Sequence, residues 1–218
     1  MAGRVKPADA VHLMPVIKRM FDIGMALLLI AFLTGPMAIL LLWLLVAQGR
    51  PIFFVSERMK TPNRAFGLWK LRSMTEATND QGVTGGDKQN RLTQCGRWLR
   101  RSRLDEVPQL WNILRGDMSF VGPRPPLRVY VERFPELYAD VLQSRPGVTG
   151  LASILCHRAE ERRLQQCQTA AETDAVYARV FVLRKAKLDL IYQRHWTLCF
   201  DLCLLWRTVS ALGLASFR

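Results

Sequence analysis

Residues 25–47 read MALLLIAFLTGPMAILLLWLLVA, 23 consecutive residues without a charge. Wound as a helix they reach about 34 Å, enough to match a hydrocarbon core of roughly 30 Å. More than 20 mostly polar residues precede the run, and it is longer than the 7–15 residues of a secretory h-region, so a membrane segment is the better reading than a cleaved signal. The chain of 218 residues then has room for one further globular unit. Half of its residues are hydrophobic, with no low-complexity tract and no fixed-period repeat, which excludes disordered, collagenous and solenoid architectures.

Short loops rich in Lys and Arg stay on the cytoplasmic side of a membrane, and here both flanks are basic. Arg4, Lys6, Lys18 and Arg19 stand before the apolar run, and Arg50, Arg58, Lys60 and Arg64 after it. A single crossing puts one of these flanks on the wrong side. A hairpin does not, and Thr34-Gly35-Pro36 supplies a midpoint for one: Pro36 removes a backbone donor, Gly35 lets the chain bend, and the Thr34 hydroxyl can bond a freed carbonyl. Two half-helices of about 11 residues would dip into one leaflet and return. A kinked spanning helix is the alternative, because proline is tolerated in such helices. The residues alone leave both open.

The net charge of +13 implies an anionic partner: nucleic acid, an acidic membrane face or phosphorylated substrates. No helix-turn-helix, zinc finger or aromatic RNA-binding signature is present, so nucleic acid is not expected. The five cysteines form no C-x-x-C pair and have no histidine set beside them, which argues against zinc and for buried free thiols. His12, His157 and His195 are dispersed and make a poor histidine site.

Past the membrane segment the pattern predicts two strands, 51–57 and 65–74, joined by a turn at Thr61-Pro62-Asn63. A polar loop is expected over 79–90 and a short basic helix over 91–103. Helices are expected over 128–143 and 159–192, and an amphipathic interfacial helix over 196–217 carrying Trp196, Phe200 and Trp206; a core-forming C-terminal helix is the plainer reading of that last stretch. The fold class is therefore an α-dominated α+β chain. It divides into a basic N-terminal segment (1–22), an apolar membrane segment with Pro36 at its midpoint (23–48) and a compact helical domain with a small β element (49–218).

Reactive groups concentrate in residues 100–125, RRSRLDEVPQLWNILRGDMSFVGPRP. Asp105 and Glu106 are adjacent. In mid-helix they would point about 100° apart, but at a helix start first-turn side chains fan around exposed N–H groups. Pro108 places such a start nearby, and the dipole there favours anions. Paired carboxylates suit Mg²⁺ that bridges substrate phosphates, and one of them can attack phosphorus to form an acyl phosphate. Arg100, Arg101, Arg103, Arg115 and Arg124 are natural partners for phosphate oxygens. Asp117, after Gly116, reads as a turn residue.

The stretch LDEVPQLWNILRGDMSFVGPRP closely resembles the signature of bacterial sugar transferases, the monotopic polyprenyl-phosphate phosphoglycosyl transferases. Further motifs similar to the family's follow in order: Lys18-Arg19-x-x-Asp22, Pro36, Pro51-Ile52-Phe53-Phe54 with Arg58, Lys70-Leu71-Arg72-Ser73-Met74, Arg97-x-Leu99-Arg100, Arg145-Pro146-Gly147-Val148-Thr149-Gly150, and residues 187–190 through Trp196 and Asp201. The resemblance covers nearly the whole chain. It implies transfer of a sugar 1-phosphate from a UDP-sugar to undecaprenyl phosphate at the cytoplasmic face of a bacterial inner membrane, the first membrane step in making a surface glycan. It further implies Asp105 as nucleophile, Glu106 with Asp105 as the Mg²⁺ ligands, and Lys70, Arg72, Arg100, Arg115, Pro123, Arg124 and Pro125 as substrate contacts. A re-entrant helix in contact with phospholipid, with its break at Pro36, and a possible homo-oligomer belong to the same expectation.

The chain also departs from the family pattern. Arg103 stands where Ser is expected before Leu-Asp-Glu, which moves a possible capping Ser to Ser102-x-x-Asp105. Ser56-Glu57-Arg58-Met59-Lys60 replaces Gln-x-Arg-x-Gly, and Gln89-Asn90-Arg91-Leu92-Thr93 replaces Asp-Pro-Arg-Ile-Thr. Ser153-Ile154-Leu155-Cys156-His157 stands for an expected Gln-Val-x-Gly-Arg. These departures motivate the rival expectation, a catalytically weakened relative that serves as a membrane scaffold for other glycan-assembly enzymes.

Overall fold

A computed structural model describes residues 16–75 and 91–216, with side chains to Ala211. The basic residues Arg4 and Lys6, His12, and the polar loop expected over 79–90 lie outside the described residues.

Helix α1 spans Val16–Gln48. It begins earlier than the expected 23, so Lys18, Arg19 and Asp22 belong to the helix itself. Pro36 lies inside it rather than in a loop between two helices. The Thr34 hydroxyl donates to the Ile30 carbonyl at 2.6 Å, one turn back, rather than to the Phe32 carbonyl that Pro36 leaves without its helical donor. Most of the helix's large side chains face outward: Leu27, Leu28, Phe32, Ile39, Leu42, Trp43 and Val46 are all exposed. Its two ends, however, are both tied to the globular part. At the start Arg19 donates to the carbonyls of Ile113 (2.6 Å) and Leu114 (2.8 Å). At the end Arg72 donates to the carbonyls of Gln48 (2.6 Å) and Gly49 (3.1 Å), while Leu44 packs with Leu71 and Leu99.

Strands β1 (Phe53–Thr61) and β2 (Arg64–Leu71) form an antiparallel hairpin, with the turn at Pro62-Asn63. Alternation along β2 puts Phe66, Leu68 and Lys70 on one face, the first two buried in the main core. Helix α2 (Gln94–Ser102) is capped at its start by Thr93, whose Oγ1 accepts from Gly96 N at 2.8 Å. A 3₁₀ turn (Leu104–Glu106) leads into α3 (Gln109–Arg115).

A second, parallel pair joins β3 (Ser119–Val121) to β4 (Gly147–Thr149). The motif reading had no strands at these positions, each only three residues long. Their crossing depends on glycine: a Cβ on Gly147 would run into the backbone of Gly122, and one on Gly122 into the Arg145 carbonyl. Between them lie α4 (Arg128–Arg133) and α5 (Pro135–Val141), two helices in place of the one expected over 128–143, separated where Pro135 cannot continue the preceding turn. The helix expected over 159–192 is likewise divided, into α6 (Leu151–Leu164), α7 (Ala170–Val176), a π-helical turn (Tyr177–Val182) and α8 (Leu183–Arg194). Helix α9 spans Leu198–Ser216. Trp206 and Val209 face outward, whereas Leu204 is buried in the main core, so α9 combines an apolar outer face with a core contact.

Cys156 and Cys167 are buried free thiols as expected, but Cys199 and Cys203 lie on the outer face of α9 and are exposed. One turn apart, they follow the helix's outward stripe rather than its core stripe.

Candidate active site

The Asp105-Glu106 turn is held between two hydrophobic clusters. Leu99 and Leu104 belong to the cluster under the end of α1, and Val107 and Leu110 to the main core. Between α2 and the turn, Arg103 adopts the left-handed conformation (φ 59°), a region that costs a non-glycine residue about 1–2 kcal/mol. Two backbone bonds close the turn, Glu106 N to Arg103 O and Val107 N to Leu104 O, each at 3.2 Å. Pro108 then stands at the N-cap of α3, as its position in the sequence predicts. Ser102 does not cap the turn: its hydroxyl donates back to the carbonyls of Trp98 and Leu99, because α2 is still helical there.

Asp105 is buried, with 6% of its surface exposed, and its Oδ1 has no hydrogen-bond partner. Glu106 is the opposite. Three cations converge on its Oε1: Lys70 at 3.3 Å, Arg103 at 3.6 Å and Arg124 at 3.6 Å. Lys70 comes from β2, Arg103 from the left-handed corner and Arg124 from the loop after β3. That loop is fixed at both ends, because the Pro123 carbonyl accepts from Gly147 N (2.8 Å) and the Pro126 carbonyl from Met59 N (3.0 Å). Lys70, Glu106, Arg124 and Pro125 line a cleft together with Arg58 and Gln109.

These surroundings set the two carboxyls apart. Burial pushes Glu106 up, but Arg124, Lys70 and Arg103 more than offset it and hold its pKa at about 2. Burial raises Asp105, and the neighbouring Glu106 carboxylate raises it further, against the pull of Lys70, Arg100 and Arg103. Burial also pushes the Lys70 ammonium down, with Glu106 working in the other direction. One carboxylate is thus firmly ionised and anchored, while its neighbour is desolvated and short of partners. Separation of this kind in a cleft marks a site for chemistry.

The remaining candidates fall into two groups. Arg100 faces Asp105 electrostatically and donates from Nε to Ser73 Oγ at 3.0 Å. Arg72 holds the carbonyls that end α1 and so joins that apolar helix to β2. Arg115 is drawn to Asp117 (3.5 Å) in a separate depression beside Arg64 and Trp69. Asp117 follows the left-handed Gly116 and also pairs with Lys60 at 3.3 Å, a turn residue with a structural ion pair. Two participants were not singled out as site residues: Gln109, buried one turn past Glu106, and Arg58 on β1. Gln109 falls in the quoted signature, and Arg58 follows the Pro-Ile-Phe-Phe motif, so only the spatial arrangement distinguishes them from their neighbours.

Residues 13–214 match the family described as bacterial sugar transferase. The chain is 30% identical over 198 residues to the UDP-glucose:undecaprenyl-phosphate glucose-1-phosphate transferase of Escherichia coli K12, covering 89% of this chain and 39% of that protein. It is 29% identical over 229 residues to the UDP-N-acetylgalactosamine-undecaprenyl-phosphate N-acetylgalactosaminephosphotransferase of Aeromonas hydrophila, covering 97% and 49%. With the uncharacterized sugar transferase EpsL of Bacillus subtilis it shares 31% over 194 residues, 89% of this chain and 86% of that one. The chain therefore spans two fifths to one half of the first two relatives and most of the third. With a match over nearly its full length and the signature turn built into a charged cleft, this chain belongs to the bacterial sugar transferase family.

Proposed function

We propose that this protein transfers a sugar 1-phosphate from a UDP-sugar to undecaprenyl phosphate, through a phosphosugar carried on Asp105. The observation that supports this most directly is the contrast within the acidic pair. Asp105 Oδ1 is buried with no partner, whereas Glu106 holds three cations. In the first step a carboxylate oxygen of Asp105 attacks the phosphorus that bears the sugar. A P–O bond to Asp105 forms, the bond to the bridging oxygen breaks, and UMP leaves with that electron pair. In the second step an oxygen of undecaprenyl phosphate attacks the same phosphorus and Asp105 leaves as the carboxylate. A desolvated carboxylate is the stronger nucleophile, and Lys70, Arg103 and Arg124, gathered beside it on Glu106, are groups that can bind the donor's phosphates.

The carboxylate pair fits Mg²⁺, which takes one or two carboxylates together with substrate phosphates. Asp105, with its unpartnered oxygen, and Glu106 beside it would hold the ion, which when bound neutralises charge on the donor diphosphate. The protein's own part is to anchor Glu106 with three cations, keep Asp105 out of water and orient the phosphates.

The apolar helix α1 is long enough to enter a bilayer. Both its ends are fastened to the same globular part, by Arg19 on α3 and by Arg72 at Gln48. That arrangement supports a helix that enters and leaves one leaflet, bending at Pro36, with the acidic pair on the cytoplasmic face of the inner membrane among phospholipid headgroups. The exposed Trp206 and Val209 of α9 suit the same interface.

The test is UMP release from a panel of UDP-sugars by the detergent-solubilised full chain with Mg²⁺ and undecaprenyl phosphate, with wild type against Asp105→Asn. Release by the wild type alone, with a phosphosugar adduct detected by intact mass when the acceptor is left out, is the expected result. Equal release by both proteins excludes Asp105 as nucleophile, and no release with any donor favours the scaffold.

A further inference from the structure

Arg103 stands at the corner before the Asp-Glu turn and His157 on α6. They lie 54 residues apart in sequence and meet in space, with Arg103 Nη2 3.1 Å from His157 Nε2. A guanidinium carries only donors, so Nε2 accepts, and the ring is the neutral tautomer with its proton on Nδ1. The other arm of the same guanidinium, Nη1, lies 3.6 Å from Glu106 Oε1. One guanidinium, on the left-handed corner that starts the Asp-Glu turn, thus joins α6 to the acidic pair. Lys70, Arg103 and Arg124 also give Glu106 more positive charge than one carboxylate can balance. Arg103 keeps about a third of its side chain exposed, so it can turn a free N–H to a ligand without repacking the core.

We propose that Arg103 is a donor-recognition residue whose guanidinium grips the diphosphate of a nucleoside-diphosphate sugar, and that His157 is the positioning residue that aims it. The assignment rests on the transferase reading. Its chemistry is that of a planar fork against phosphate oxygens, with the neutral imidazole fixing the plane of the fork. The charged groups that face His157 are Arg103 and Arg124 from across the site, and Glu160 and Glu161 on its own helix, Glu161 at 4.0 Å. Burial and then Arg103 hold the imidazole below its ordinary value of 6.5, which keeps the accepting form in place at neutral pH.

The experiment is steady-state UMP release by the full chain, with donor KM and kcat measured separately. Arg103→Gly is the first variant, because glycine adopts the left-handed corner without strain. It is expected to raise donor KM about 10- to 100-fold, the value of a charge-assisted hydrogen bond. Arg103→Gly combined with His157→Arg, which restores a guanidinium from the other side of the contact, is expected to recover at least half of that loss on a logarithmic scale. His157→Gln, whose amide oxygen accepts at every pH, is expected to keep the wild-type donor KM at neutral pH and to hold it at acid pH, where protonation of His157 in the wild type removes the acceptor. Wild-type turnover with an unchanged KM in Arg103→Gly, or a double variant no better than the single one, overturns the assignment. Absence of wild-type turnover with every donor overturns the transferase reading on which it stands.

Discussion

Two of the buried clusters of charge among the described residues are built in opposite ways. One links the start of α1 to α9: Lys18 is ion-paired with Asp201, which also accepts from Tyr192 Oη at 2.6 Å and Trp196 Nε1 at 3.0 Å. Lys18 and Asp201 are each 1% exposed and paired with one another, while one turn along α1 the buried Asp22 accepts from Ser119 Oγ and Phe120 N with Oδ1 and leaves Oδ2 without a partner. The other is the Asp105-Glu106 turn, where one carboxylate gathers three cations and its neighbour has an oxygen with none. A buried network with all its bonds made specifies structure, whereas an unfilled valence in a charged cleft is tolerated when a ligand completes it. The Asp201 carboxylate is thus filled by Lys18, Tyr192 and Trp196, whereas Asp105 is left open at Oδ1 beside a carboxylate that gathers three cations, and it is this surplus of cations, not an unpartnered oxygen alone, that marks the candidate site.

The comparison breaks most severely if Asp105→Asn leaves turnover intact. We expect a loss of at least about 10³-fold in UMP release, the scale on which removal of a nucleophile acts, with no fall in thermal stability, because a neutral amide is easier to bury than a carboxylate. The mirror experiment is Lys18→Met, which strands Asp201 without its cation. It is expected to cost about 3–5 kcal/mol of stability, read as a fall in the unfolding midpoint in detergent, and an unchanged midpoint would remove the distinction between the clusters.

Glu106→Gln separates the two behaviours within one site. Because the folded state holds Glu106 near 2, below its ordinary 4.5, the ionised carboxylate stabilises the fold fully above pH 4.5 and loses that contribution as pH falls through 2. The stability gap between wild type and Glu106→Gln should therefore open between pH 2 and pH 4.5 and reach on the order of 3 kcal/mol, as unfolding measured across that range will show. The smallest effect is expected from Arg19→Met, which uncovers the Ile113 and Leu114 carbonyls at the end of α3. About 1 kcal/mol should be lost, and a neutral result would mean that water caps α3 equally well.

Several elements could be read directly from residues. The apolar run, the two strands around Pro62-Asn63 and the helix start at Pro108 each follow from local physics, from composition, turn chemistry and the fixed φ of proline respectively. The acidic pair stood out because carboxylates next to a helix start and among arginines are an unusual concentration of charge. What could not be read depends on distant parts of the chain. The parallel β3–β4 pair joins residues 28 positions apart through two three-residue strands, too short for any periodicity to register. Arg72 and Arg100 belong to equally recognisable motifs, yet one ends a helix and the other faces Asp105, and only the fold separates those uses. The meeting of Arg103 with His157 is of the same kind: two isolated departures in the sequence become one contact in the structure.

Arg19 gives the apolar helix α1 a hold on α3, the helix that starts just after the Asp-Glu turn, and Arg72 gives it a second hold at the end of β2, two residues from Lys70. Helix α1 is in that sense a structural wall of the globular unit. A chain trimmed to residue 49 would bare Leu71 and Leu99, uncap α3 and leave Asp201 without its cation, so a water-soluble form of this protein has to be sought by redesigning the outer face of α1 rather than by cutting it away.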